Sequence, residues 1–135
     1  MTPTLMAMIG FGLWTLLLSM TIAATRSAIM MRSGRPANGF SPTGEDLGGF
    51  PRRLARAHAN CCENLPIFVA IALGVVLSGH SAVADRYALW VLYARIFQSL
   101  IHLASTSVPA VYLRFAFYLV QVLLLVLMVV GAFAG

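Results

Sequence analysis

The chain has 135 residues, of which 60% are hydrophobic and only 10% are charged. Soluble domains carry about a quarter of their residues as charges, so a disordered tail and an ordinary soluble enzyme are excluded, and the class is integral membrane. The net charge of +5 rests on nine basic residues, all arginine, and six of them (Arg26, Arg32, Arg35, Arg52, Arg53, Arg56) fall in one stretch between two apolar segments. That clustering points to topology and anion binding, and away from nucleic acid, whose binders spread basic residues over a hydrophilic surface.

Met1–Thr25 holds no charged side chain. About 20 apolar residues cross roughly 30 Å of hydrocarbon, so a first span is predicted over about 4–25. It lacks the basic start of a secretory signal and its apolar run is too long for one, so it reads as a retained helix. A basic loop over 26–57 follows, with Pro36, Pro42 and Pro51 among its residues. A stretch of that length without periodicity is functional or mobile. Further spans are predicted over about 58–79, 87–106 and 113–134. At this length only helices satisfy every backbone group inside a bilayer. The expected fold is therefore a single all-α integral membrane domain, a bundle of four transmembrane helices. Arginine bias puts the first loop and the third, which ends at Arg114, in the cytoplasm and both termini outside; in a bacterium this would be the inner membrane. Ala70, Gly74 and Ser78 recur every four residues, a spacing that lets helices approach closely, and predict packing inside the bundle. Cys61 and Cys62 are adjacent, too strained a pair to bridge, and are read as buried apolar thiols.

Polar residues inside or at the mouths of the spans carry the functional signal. Arg53, Arg56, Asn60 and Glu63 share one face of the second helix, and Arg95, Gln98, Ser99 and His102 share one face of the third. A charge at the bilayer centre costs about 2.5–3.5 kcal/mol, so these side chains should face the bundle interior or a wet cavity. One expectation is a buried pair, with Glu63 neutralising Arg56 or Arg95 between helices. The arginines outnumber it, however, and surplus guanidinium groups in a low-dielectric pocket suit an anionic ligand, with Glu63 placed for an ammonium group of the same ligand. His58 and His102 lack further ligands at metal-binding spacing. Pro66, three residues after Glu63, is expected to kink the second helix.

The string Arg56-Ala57-His58-Ala59-Asn60-Cys61-Cys62-Glu63-Asn64-Leu65-Pro66-Ile67-Phe68 resembles the signature of the MAPEG family, membrane-associated proteins in eicosanoid and glutathione metabolism. Its form there is Arg-Ala-x-x-Asn-x-x-Glu followed shortly by Pro-x-Phe. Tyr93-Ala94-Arg95, and Pro109 to Arg114 leading into the fourth helix, resemble a second landmark. The resemblance implies a homotrimer with active sites between subunits, binding glutathione as co-substrate at the cytosolic side. It implies a glutathione site of Arg56, Asn60, Glu63 and Arg95, to which Arg53, Gln98 and His102 are added from the same faces. Arg114 resembles the arginine that stabilises the thiolate, and is the expected catalytic residue. Gln98 and His102 stand where glutathione-using members often carry tyrosines. The activity implied is a glutathione-dependent transferase or peroxidase acting on lipophilic small molecules that arrive from the membrane lipids. The alternative within the family is a non-catalytic protein that binds a lipid or a partner membrane subunit. A small four-helix drug exporter would need a carboxylate in the first helix, and Met1–Thr25 has none.

Overall fold

The computed structural model describes all of residues 1–135: four α-helices and no strand. They are α1 (Pro3–Ser33), α2 (Gly49–Leu77), α3 (Ser81–Ala104) and α4 (Val108–Ala134). Helix α1 begins where Thr2 accepts a hydrogen bond from the Leu5 N–H, with Pro3 in the first turn, a position where its missing N–H costs nothing. It ends at Gly34, whose left-handed φ of 68° lets its N–H reach back to the Met30 carbonyl, a conformation that side chains disfavour.

The first span and the basic loop divide differently from the sequence reading. Residues 26–33 and 49–57 are helical, and only 34–48 lie outside a helix. Nothing between Thr25 and Ser33 breaks a helix, and arginines reach headgroups without the backbone unwinding. The remaining loop is tied to itself. Arg35 donates to the Gly39 carbonyl and pairs with Asp46, Arg26 donates to the Ser41 carbonyl at 3.0 Å, and both guanidinium groups lie over the Phe40 ring.

Helices α2 and α3 each pack against all three others, α3 the more extensively, whereas α1 and α4 do not meet. The inward stripe of α3 runs Ala84, Ala88, Val91, Arg95, Gln98 and His102, the three- and four-residue spacing of one helix face. Polar residues on that stripe, with Asp85 and Arg86 near the helix start, interrupt the apolar run of α3, so the three others, and not α3, are long and apolar enough by themselves to cross a membrane. The usual distribution is reversed outside. Leu13, Leu16, Trp90, Phe97, Phe115 and Leu123 are all exposed, as lipid contact requires. Close approach of α3 and α4 rests on a small residue at Gly131, where a Cβ would sit 2.8 Å from Val83. Helix α2 passes through Pro66 as one unbroken helix. The small stripe of Ala70, Gly74 and Ser78 does not pack inward: it lines an open apolar groove between α2 and α4, with Val129, Ala132 and Phe133 on the opposite wall.

At the end away from the basic loop, Asp85 on α3 joins two helices. Its Oδ1 accepts from the Thr4 backbone N–H at 2.9 Å and from the Thr4 hydroxyl at 2.6 Å. A carboxylate there satisfies an orphan donor of α1 and meets the positive end of its dipole. Asp85→Ala should lower stability by about 1–2 kcal/mol, read as a drop in the thermal unfolding midpoint in detergent; an unchanged midpoint would contradict the assignment.

Candidate functional site

The predicted residues separate into three places. The first is a cavity of about 380 Å³ at the basic-loop end, where α2 and α4 begin and α3 finishes. Gly49, Arg52, Arg53, Arg56, His102, Thr106, Val111 and Arg114 line it. Four arginines and no carboxylate face one space. The starts of α2 and α4 lack side-chain caps, so free N–H groups add to the positive potential. Arg53 is anchored there by its Nε, which donates to the Leu103 carbonyl at 2.8 Å; this satisfies a terminal acceptor of α3. Arg56 and Arg114 make no hydrogen bond to the protein through their guanidinium groups, and the Arg114 Nε is buried without a partner. Such unpaired forks suit a carboxylate- or phosphate-bearing ligand.

The second place is the bundle interior. Arg95 is 1% exposed and is the largest fully buried side chain. Its Nη1 donates to the Asn60 Oδ1 at 3.1 Å, and its guanidinium lies 5.5 Å from the centre of the Phe11 ring. Phe11 in turn stacks on Phe68. Asn60 is held from both sides, since the Asn64 amide also donates to its Oδ1 at 3.0 Å. Cys61 is buried 3.5 Å from the Ser99 hydroxyl, while Cys62 is exposed beside the His58 ring. Gln98 faces neither the cavity nor Arg95. It donates to the Arg114 carbonyl and accepts from Gln121 of α4.

The third place is the outer surface of α2, where Glu63 is exposed. The expected pairing of Glu63 with Arg56 or Arg95 is not made: the ion pair of the chain is Arg35–Asp46. The helical spacing is correct, but Arg95 projects from α3 into the bundle while Glu63 turns away from it. Arg56, His102, Arg53 and Arg114 are thus brought together, whereas Arg95, Asn60, Gln98 and Glu63 lie elsewhere in the single chain. Sequence reasoning missed Arg52 as a lining residue and Gln121 altogether. Gln121 did leave a signal, being a lone amide in an otherwise apolar span, where an unsatisfied polar group is costly.

Comparison with curated proteins finds no match. Comparison with protein families matches residues 4–134 to the MAPEG family. A match over nearly the whole length, joined to four helices and a cluster of arginines where α2 and α4 begin, establishes that this integral membrane chain belongs to the MAPEG family.

Proposed function

We propose that the protein is a membrane-bound glutathione-dependent transferase or peroxidase acting on lipophilic electrophiles. The observation that carries this reading is the cavity of four arginines without a carboxylate. Glutathione brings two carboxylates, which the guanidinium groups can take as planar forks. Its thiol, placed near Arg114, would lose its proton more readily in that positive field. The apolar surface of α4 offers the second substrate a route from the lipid.

The exposure of Glu63 supports an oligomer, for which the family resemblance implies a homotrimer. A carboxylate exposed partway along an apolar helix is costly against lipid, and a neighbouring subunit covering α2 removes that cost. The ammonium group of glutathione, bound between subunits, would give Glu63 its counter-charge. The first and third loops lie on the cytoplasmic side in this reading, following the arginine bias.

Purified protein in detergent, supplied with glutathione and an aromatic halide, should form the thioether conjugate well above the uncatalysed rate. Binding of glutathione without any conjugation or peroxide reduction would instead favour the non-catalytic branch of the family.

A further inference from the structure

We infer that Gln121 and Gln98 form an amide relay that positions Arg114, which makes Gln121 a positioning residue for thiolate formation; this rests on the glutathione reading above.

Gln121 is 3% exposed and Gln98 is 5% exposed. The Gln121 Nε2 donates to the Phe117 carbonyl at 2.9 Å and to the Gln98 Oε1 at 3.0 Å. The Gln98 Nε2 then donates to the Arg114 carbonyl at 3.0 Å. Each NH2 group faces a carbonyl oxygen, and a carbonyl only accepts, so the orientation of both amides follows. The relay leaves α4 at Phe117, crosses α3 at Gln98 and returns to α4 at Arg114. It ends on the residue whose side chain enters the arginine cavity.

The Arg114 side chain has no polar restraint of its own. Its guanidinium bonds to no group of the protein and its Nε is buried without a partner. Its place is therefore set through its backbone, by the register of α4 against α3. Buried amide pairs fix such a register because an unsatisfied amide is costly and any slip breaks both bonds. A displacement of about 1 Å at a reacting centre can lower a rate about 100-fold, so holding this carbonyl bears directly on where the positive charge sits.

A glutamine pair that served packing alone would alter stability without altering the state of a bound thiol. Gln121→Met keeps length and bulk but removes the amide, and Gln98→Met breaks the other link. The full-length protein in detergent would be compared with both variants and the double variant. The readouts are glutathione affinity, the ultraviolet thiolate absorbance of bound glutathione at neutral pH, and kcat and KM with an aromatic halide. Each variant should bind glutathione within about twofold of the wild type while losing thiolate absorbance and kcat together by about 3–10-fold, with KM little changed. The double variant should lose no more than either single one, because one relay is broken at either link. Wild-type thiolate absorbance in a folded variant, losses that add in the double variant, or failure of both single variants to fold would overturn the relay. A wild-type protein that binds glutathione without forming thiolate would overturn the role of Arg114 and the relay with it, while one that binds no glutathione would overturn the functional reading itself.

Discussion

Arg114→Ala should cut turnover by about 100-fold while leaving glutathione affinity nearly intact. A guanidinium offers donors and a fixed positive charge but no acceptor, so its role is electrostatic and not that of a base. A free thiol has a pKa of about 8.5, and one pKa unit corresponds to about 1.4 kcal/mol. Lowering the bound thiol by two units therefore needs roughly 2.7 kcal/mol, within reach of a charge-assisted hydrogen bond in a dry site. Loss of one preorganised donor to a reacting anion typically costs about 100–1,000-fold in kcat. Affinity survives because Arg52, Arg53 and Arg56 still line the cavity. The thiolate absorbance of bound glutathione at neutral pH should disappear with the turnover. Wild-type turnover with unchanged absorbance would reduce Arg114 to an interfacial anchor at the start of α4.

Arg95 should behave in the opposite way, with its largest effect on the fold. It fills the interior between α1, α2 and α3, against Phe11 and Asn60, and no carboxylate forms an ion pair with it. Arg95→Ala leaves a cavity of nearly a whole side chain and should destabilise by about 2–5 kcal/mol, as large truncations in cores do. Arg95→Met fills the space and removes a buried charge, an exchange that is often neutral or stabilising. Asn60 tolerates the loss because Asn64 still donates to its Oδ1. Thermal unfolding of the two variants in the same detergent separates volume from charge. Equal destabilisation of both would show that the guanidinium itself, through Asn60 and the Phe11 ring, holds the bundle together.

Much of this fold was legible because a bilayer permits few solutions. Uncharged stretches had to be helices, and the three- and four-residue spacing of Arg53, Arg56 and Asn60 fixed which residues share a face. Helix ends were less legible, because hydropathy marks the edge of the hydrocarbon and not the end of a helix. Residues 26–33 and 49–57 are charged yet helical, and only the left-handed Gly34 stops α1. Within the site, a shared face did not reveal depth. Gln98 and His102 stand on the same stripe of α3, but His102 reaches the arginine cavity at the helix end while the Gln98 amide is spent on α4, between the Arg114 carbonyl and Gln121. Glu63 illustrates the limit of reading one chain: three residues past Asn60 on the same helix, it points outward and forms no ion pair within the chain.

The most direct measurement is the equilibrium binding of glutathione to the purified protein in detergent, followed by titration calorimetry, with Arg56→Ala and Glu63→Gln measured beside it and oligomeric state and thermal midpoint recorded for each. Saturable binding to the wild type, weakened in both variants while oligomer and midpoint persist, is the predicted result. No saturable binding to folded wild-type protein, or equal binding to all three proteins, would contradict the assignment of the arginine cavity to glutathione.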